Sequence, residues 1–299
     1  MATPGTYYIG RVLKLGLLDQ DKLIEAIKKP DQITYRGNAW TFIDIEEYNQ
    51  DGHQYIFGKL SKFTPDGEVT VVDTVNRSEK TQIEPNLKMA SSPFIYIPEH
   101  SGIAFLNVSN HIEQSTFIKR FCEIIEYTHE KFFVDCGIEL VSDLKTFAAK
   151  LLSLDLIYQI NAKISPPNPL FSPLWAPLVQ YLRERNTDRM TIIEDAPESE
   201  KLRTNLPTLV EQASEQTENT QFIPGEEIPI GDAAILMAAD GYGSGSIRGK
   251  KNGEIVILKT SETALNFSFT KEPDSYELYL KALPIFERIK TNRHMEHGE

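Results

Sequence analysis

The amino-acid sequence predicts an α+β protein with mostly antiparallel strands, and three features lead to this class. Apolar runs rich in β-branched and aromatic residues, separated by Pro and Gly, predict a β-hairpin over residues 93–108. Apolar residues at helical spacing over residues 114–126 predict a helix that covers this hairpin. A second hairpin pattern, around an Asp-Gly turn at residues 51–52, predicts further strands earlier in the chain.

The first part of the chain predicts an antiparallel β-rich domain over residues 1–128. A turn is expected at residues 64–67, and the polar residues 76–91 are expected to form a connecting loop. The expected elements are a strand at 7–13, a helix at 21–29 between a capping Asp19 and a terminating Pro30, and strands at 40–45, 55–60, 69–72, 93–97 and 103–108.

The second part predicts an α+β domain over residues 129–299. Its first elements have a split β-α-β order: a strand at 132–141, a helix from Asp143 to Leu152, a strand at 156–164, a helix at 171–185 and a strand at 189–194. The polar stretch at 211–221 is either an exposed helix end or a flexible loop, and we favour a flexible loop near 211–224. The remaining elements are a short helix at 231–239, a meander over 242–269, a last helix from Asp274 or Ser275 to Lys290 with Pro284 inside it, and a frayed tail from Thr291.

Composition narrows the class of protein. The net charge of −12 disfavours a protein whose whole surface binds nucleic acid or anionic lipid, although a local basic patch is compatible with it. Cys122 and Cys136 are the two cysteines, both within apolar patterns, and we expect buried thiols in a reducing compartment. The sequence shows no signal peptide and no apolar run of the roughly 18 residues that a membrane span needs. We therefore expect a soluble, cytoplasmic protein without membrane insertion.

Motifs for catalysis and cofactors are not found in the sequence. The glycines of residues 241–249 do not have the spacing of a phosphate-binding P-loop or of a dinucleotide fingerprint, and they predict tight turns or a bulge in a strand. The six histidines show no paired metal-ligand spacing on a helix. We predict no catalytic residues, no metal site and no cofactor, and we do not expect an enzyme.

One alternative to this conclusion is a metal-dependent nuclease, which needs carboxylates and a lysine around a divalent ion. Asp135 and Glu139, at positions that share one face of a predicted strand, come near such a set together with Asp143 and Lys145. Asp143 is better explained as the N-cap of the helix that follows.

Basic residues concentrate in the C-terminal part of this acidic chain. Arg248, Lys250 and Lys251 cluster at a predicted hairpin, and Lys281, Arg288 and Lys290 lie on the last predicted helix. If the two groups lie side by side, they form a surface for nucleic-acid phosphates. We predict these six residues as the nucleic-acid-binding site, against the alternative that each group is an ordinary solvated surface.

The order of elements resembles that of RexA-like phage-exclusion proteins and related bacterial phage-defence proteins. The likeness rests on residues 54–60, 92–97 and 102–105 with the helix that follows, and on the strand-then-proline run at 156–169. It covers about two thirds of the chain, and it consists largely of hydrophobic patterns. The resemblance implies a cytoplasmic, self-associating protein that binds DNA during abortive infection. The net negative charge departs from what DNA binding favours.

Three functions follow as hypotheses. The first is a non-enzymatic anti-phage defence protein, acting as a homodimer or larger homo-oligomer, that binds the backbone of double-stranded DNA without reading its sequence. The second is a protein-interaction module of a defence system that recognises a phage or host protein through its N-terminal sheet. The third is the metal-dependent nuclease.

Overall fold

The computed structural model describes residues 3–50, 52–167, 170–171, 176–197, 200–215, 228–293 and 296–297. Within these residues the fold is α+β with antiparallel sheets, which confirms the predicted class. No helix in the described ranges has the length and apolar character that crossing a membrane requires.

Strands and helices alternate irregularly along the chain. The strands are β1 (Pro4–Gly16), β2 (Ile33–Tyr35), β3 (Asn38–Gln50), β4 (His53–Asp73), β5 (Ser78–Ile97), β6 (Gly102–Leu106), β7 (Val134–Leu140), β8 (Leu156–Ile164), β9 (Leu170–Phe171), β10 (Met190–Asp195), β11 (Gly243–Lys251), β12 (Glu254–Lys259), β13 (Asn266–Thr270) and β14 (Glu296–His297). The helices are α1 (Gln20–Lys28), α2 (Gln114–Thr128), α3 (Leu144–Leu152), α4 (Ala176–Glu184), α5 (Leu206–Ser214), α6 (Ile230–Met237) and α7 (Ser275–Asn292).

The first sheet is buried on both faces in its central part. Its strand order is β13–β1–β6–β5–β4–β3–β2, and β7 pairs with β1 beyond the end of β13. On β5, Phe94 and Tyr96 pack with apolar residues of α1 and α2, whereas Ile95 and Ile97 pack with those of α7 and the second sheet. Consecutive apolar residues in the predicted hairpin at 93–108 therefore pack into two different hydrophobic cores, one on each face of the sheet.

The second sheet is covered on one face. Its order is β10–β8–β11–β12, all antiparallel. Ile160, Ala162 and Ile247 face α6 and belong to the same core as α7. Along β11 the buried residues alternate with more exposed ones, which is the pattern of a sheet with one solvated face.

Two predictions in the first half of the chain were wrong. The expected turn at 64–67 lies within β4, and residues 78–91 of the loop expected at 76–91 lie within β5, while 76 and 77 belong to the turn between the two strands. The strands pair from Ile56–Tyr96 to Asp73–Ser78 with a bulge near Phe63. Most residues in the second half of β4 and the first half of β5 are exposed or half-buried, in agreement with their largely polar sequence. Their backbone groups are satisfied by the ladder between the two strands, and not by a core.

The two predicted domains share the first sheet. The division at residue 128 stays a prediction, but β7 and β13, which follow that residue, both pair with β1. The structure therefore differs from the predicted split β-α-β unit in one strand: the strand expected at 132–141 lies beside β1, and not beside β8 and β10. Local sequence gives a strand but not its partner, because pairing depends on residues more than a hundred positions away.

Three further differences concern the second half. Residues 211–214, expected in a flexible loop, end helix α5, and 216–224 lie outside the described residues. Of the helix expected at 171–185, Phe171 lies in β9 instead and 172–175 lie outside the described residues. Helix α4 confirms the later part, with Pro177 in its first turn as predicted. The expected frayed tail is wrong for residues 291–293, because α7 continues to Asn292 and Arg293 is buried.

A buried cluster of charged groups connects α7 to both sheets. Arg293 forms an ion pair with Asp240 and donates from Nη2 to the Ser142 carbonyl at 2.9 Å. Arg11 of β1 donates from Nε to the Asp240 carbonyl at 2.8 Å and from Nη1 to the His100 carbonyl at 2.7 Å. These contacts hold the end of α7, the first sheet and the turn that precedes β11 in one arrangement.

Candidate nucleic-acid interface

The glycines of β11 explain how this strand lies against α6. An added Cβ at Gly245 would lie 2.8 Å from Ile235 Cδ1 and 3.0 Å from Thr260 Cγ2, so no larger residue fits between strand and helix without movement. Between Arg248 and Gly249 the pairing with β8 shifts register. The sequence predicts tight turns or a bulge in a strand at these glycines, in place of a phosphate loop. Gly243, Gly245 and Gly249 do lie in strand β11, but the extra residue at the bulge is Tyr158 of β8, and not a residue of β11.

Alternation along β11 separates the three predicted cations. Arg248 and Lys250 lie on the open face, opposite Ile257 and Ile255 of β12. Lys251 is the next residue along the strand and pairs with Glu254 at the hairpin end, so it belongs to the other side of the sheet. Two of the three residues therefore share a surface.

The open face gains two cations that the sequence analysis did not select. Lys163 of β8 lies opposite Ser244, and Lys259 of β12 lies opposite Ser246. Both lysines are exposed. With the two β11 cations they give four positive charges on the outward positions of the described strands of this sheet. Alternation along β8 and β12 shows that these lysines point outward. They can be assigned to the same face as Arg248 and Lys250 only when the pairing of both strands with β11 is known.

Acidic groups are scarce on this face. Among the outward positions of β8, β10, β11 and β12, as described, the one carboxylate is Asp195, which accepts a hydrogen bond from Gln159 Nε2. Exposed aliphatic residues accompany the charges: Ile193, Ile255 and Ile257. We define the outer face as the outward residues of these four strands. It carries four cations against one carboxylate in a chain whose net charge is −12.

The cations predicted on the last helix lie elsewhere. Lys281 and Arg288 are exposed on α7, whose buried side packs on the first sheet. Lys290 Nζ lies 3.0 Å from Glu99 Oε1, so part of its charge is compensated. Lys281, Arg288 and Lys290 lie on α7, whereas Arg248 and Lys250 lie on β11 of the second sheet. That the two groups form one surface stays a prediction.

The carboxylates of the nuclease hypothesis have other partners. Asp143 Oδ1 accepts from the backbone amides of Lys145 and Thr146 and caps α3, as predicted. Asp135 Oδ2 lies 3.0 Å from Arg189 Nη1. Burial raises the pKa of Glu139, and the nearby cations Lys163 and Arg189 oppose that shift. A cleavage activity stays a hypothesis.

Glu99, His100 and Glu287 form the one group of three potential metal ligands found among the described residues. His100 Nε2 lies 3.3 Å from Glu287 Oε1, and the imidazole is stacked on Phe286. Burial lowers the pKa of His100, and Arg11 lowers it further, whereas Glu99 and Glu287 act in the opposite direction. The separation of Glu287 from the other two residues along the chain hides this cluster from sequence analysis.

Fold and surface together define an α+β protein with an open, positively charged sheet face. The chain belongs to the family described as Domain of unknown function (DUF4747), whose model matches residues 21–219, about two thirds of the chain. Lys163 lies inside the matched stretch, whereas β11, β12 and α7 follow it. No curated protein matches the chain.

Proposed function

We propose that this protein binds the phosphate backbone of double-stranded DNA through the outer face, without reading sequence and without catalysis. The observation that carries the proposal is the concentration of Lys163, Arg248, Lys250 and Lys259 on one exposed face of an acidic protein. Complementary charge steers a polyanion to such a patch and sets its orientation there.

The side chains of the outer face favour contacts with phosphates over contacts with bases. The outward positions of the described strands β10, β11 and β12 hold hydroxyl, aliphatic and charged residues, and no aromatic ring. Proteins that hold unpaired bases commonly stack them on aromatic side chains. On β8, Tyr158 is half-buried at the bulge opposite Arg248 and Gly249. Strands β10, β11 and β12, which lack such rings at outward positions, are suited to the outside of a duplex, where the phosphates are common to every sequence.

The test is a fluorescence-anisotropy titration of the full chain against a duplex whose ends carry 5′-hydroxyl groups, at several salt concentrations. Four phosphate contacts predict a slope of log K against log salt of about −3.6, from roughly −0.9 for each contact. The double variant Arg248→Ser/Lys250→Ser should reduce the slope to about −1.8. The matched control Lys281→Ser/Arg288→Ser removes the same charge from α7 and should leave the slope unchanged.

Two results would contradict this assignment. Absence of binding to the duplex at low salt would remove DNA as the ligand. An equal reduction of the salt slope in the two double variants would mean that the α7 cations contribute as much to DNA binding as the outer face does. The six residues predicted from the sequence would then act together. Because all four substituted side chains are solvent-accessible, we expect both variants to fold.

The cellular role that we attach to this binding is anti-phage defence of the abortive-infection type, carried out in the cytoplasm by a homodimer. The resemblance to RexA-like phage-exclusion proteins supports this role. In a bacterial host, expression of the chain should lower the plating efficiency of a susceptible phage, and Arg248→Ser/Lys250→Ser should restore it. Sedimentation of the purified chain tests the dimer. Equal plating with and without the chain, across a phage panel, would contradict the role.

An exposed hairpin favours a second candidate, the protein-interaction module. The outer halves of β4 and β5 carry apolar residues that face solvent, among them Val72, which is 73% exposed, and Ile83, which is 68% exposed. Such residues in the N-terminal sheet could bind a phage or host protein. Thr64 and Leu87 pair across the ladder. Replacing the residues between them by a two-residue Asn-Gly turn therefore removes this arm and keeps the rest of the hairpin. Loss of partner capture with unchanged DNA binding would support the module, and unchanged capture would exclude the arm.

A further inference from the structure

Beside helix α2 the first sheet leaves a cavity of about 410 Å³. It lies between the β2–β3 turn, β4 and the first two turns of α2, on the matched part of the chain and away from the outer face. Its lining includes four cations: Arg36, Lys62, Lys119 and Arg120. None of the described lining residues is acidic. Four converging positive charges without a carboxylate in the wall are unusual in so acidic a protein.

Aromatic rings position these cations. The guanidinium carbon of Arg120 lies 3.7 Å from the centroid of the Tyr35 ring, and that of Arg36 lies 5.2 Å from the same ring. Lys62 Nζ lies 5.7 Å from the Trp40 ring centroid. Cation–π contact of this kind restricts long side chains that would otherwise sample many rotamers. The charges are therefore held near one another before any ligand arrives.

Two buried donors in the wall of the cavity have no acceptor. Trp40 is 3% exposed and Arg120 is 5% exposed, and neither Trp40 Nε1 nor Arg120 Nε has a hydrogen-bond partner among the described residues. Arg120 Nη1 is bound to Glu123, which compensates part of the charge. A buried N–H without an acceptor is costly. Both nitrogens are covered by protein atoms, so an anion in the cavity would accept from them only after the side chains turn toward it.

The N-terminus of α2 adds a third contribution. Ser115 and Thr116, in the first turn of this helix, line the cavity. Backbone amides in a first turn have no acceptor within the helix, and they carry the positive end of its dipole. The amide of Gln114 donates to Asn107 Oδ1 at 2.9 Å, whereas Glu113, at the N-cap position, makes no side-chain hydrogen bond to the first-turn amides. Helix terminus, cations and unpartnered donors all favour the same kind of ligand, an anion with several oxygens.

We propose that this cavity binds the terminal phosphate groups of a nucleotide, either a free nucleoside triphosphate or the 5′ end of a nucleic-acid strand. Four cations, one of them shared with Glu123, match a triphosphate better than a singly charged anion. The volume falls in the usual range for small-molecule sites, about 300–1,000 Å³. This site is separate from the outer face, and it does not depend on the DNA-binding proposal.

Calorimetric titration of the full chain tests the site with five probes: tripolyphosphate, ATP, adenosine, and two forms of a short oligonucleotide, one with a 5′-triphosphate and one with a 5′-hydroxyl end. Tripolyphosphate and ATP should bind, and adenosine should not. The variant Arg36→Ser/Lys119→Ser changes two exposed side chains and should weaken ATP binding about 100-fold, roughly tenfold for each cation. The control Arg248→Ser/Lys250→Ser should bind ATP as the native chain does.

The two sources of phosphate are separated by comparing the probes. Tighter binding of ATP assigns the site to a free nucleotide, and tighter binding of the 5′-triphosphate strand, with no binding of the 5′-hydroxyl strand, assigns it to a strand end. The proposal is overturned if neither tripolyphosphate nor ATP binds at low salt. It is also overturned if adenosine binds as tightly as ATP, or if Arg36→Ser/Lys119→Ser has unchanged affinity. Binding of duplex DNA with 5′-hydroxyl ends should be unaffected by this variant, so failure here is distinct from failure of the outer face.

Discussion

The two large sheets of this protein are both antiparallel, but they are buried in different ways. In the first sheet, adjacent residues such as Phe94 and Ile95 are both buried, because each face lies against its own core. In the second sheet, Ile247 is buried and its neighbour Arg248 is exposed. The sheet with two cores fixes the shape of the molecule. The sheet with one core has a free face, and that face carries the charges to which we assign function.

The largest effect on stability is expected from a substitution that disrupts the packing of the first sheet, which is buried on both faces. Phe94 packs edge to face against Phe42, Phe117 and Phe121, with ring centroids 5.3, 6.0 and 5.4 Å away. Phe94→Ala should lower the free energy of unfolding by about 3–5 kcal/mol, since it removes buried surface and leaves a cavity. Urea unfolding followed by circular dichroism measures this change. A loss below about 1 kcal/mol would mean that this face is not a rigid core.

The next largest effect on stability is expected at the buried ion pair of Arg293 and Asp240. Burial lowers the pKa of Arg293 to about 9, so the guanidinium stays charged at neutral pH and needs Asp240. Asp240→Ala should cost about 3 kcal/mol, because it leaves an unpaired buried charge. The double variant Asp240→Leu/Arg293→Met should recover much of that stability in the same unfolding experiment. A double variant as unstable as the single one would show that the pair is needed for more than mutual neutralisation.

The contact between α7 and the first sheet should make the stability of the protein depend on pH in the acid range. Burial holds the pKa of His100 below its ordinary value of 6.5, so the folded state keeps the imidazole neutral. As the pH falls below about 6.5 the unfolded state binds the proton first, and stability declines until the folded pKa is reached. The slope in this window is at most about 1.4 kcal/mol per pH unit for one group.

His100→Phe should remove this contribution and keep the stacking on Phe286. Thermal unfolding of both proteins between pH 4.5 and pH 7.5, roughly two units below the ordinary His value and one above it, gives the difference. If the two profiles are parallel throughout, His100 is not the titrating group. Glu99, Glu287, Arg11 and Lys290 face the imidazole and are unchanged in the variant.

The smallest effect is expected on the outer face itself. Ile257 is 45% exposed and contacts solvent opposite Arg248, so Ile257→Ser should change the free energy of unfolding by no more than about 0.5 kcal/mol. A loss comparable with that of Phe94→Ala would show that another part of the chain or a partner covers this face. In that case the outer face would not be free to bind DNA.

Helix ends could be predicted from the sequence because their causes are local. Asp19 and Asp143 were each predicted as caps, and Asp274 was predicted with Ser275 as the alternative. In each case the aspartate carboxylate accepts a hydrogen bond from at least one backbone amide of the first turn. The burial of Cys122 and Cys136 also follows from apolar patterns and is confirmed. The polar hairpin arm was missed, since strand pairing and not burial holds it, and a polar segment without a core looks like a loop.

The candidate sites were predictable only in part. Arg248 and Lys250 are close in sequence and were selected, but Lys163 and Lys259 come to the same face through pairing with β11. The cation cavity was not foreseen at all, because Arg36 and Arg120 are separated by more than eighty residues and meet only when α2 packs on the first sheet. Sequence spacing reveals groups on one element, and it says little about groups contributed by several.

Taken alone, the amino-acid sequence determined the α+β class, the positions of most helices and central strands, and the acidic character of the chain, because short-range periodicity and capping control these properties. Only the tertiary structure decided that β7 and β13 extend the first sheet, that Lys251 turns away from Arg248, and that cations from three strands share one surface. Strand register is set by contacts between distant residues, and a shift of one residue exchanges the two faces of a strand.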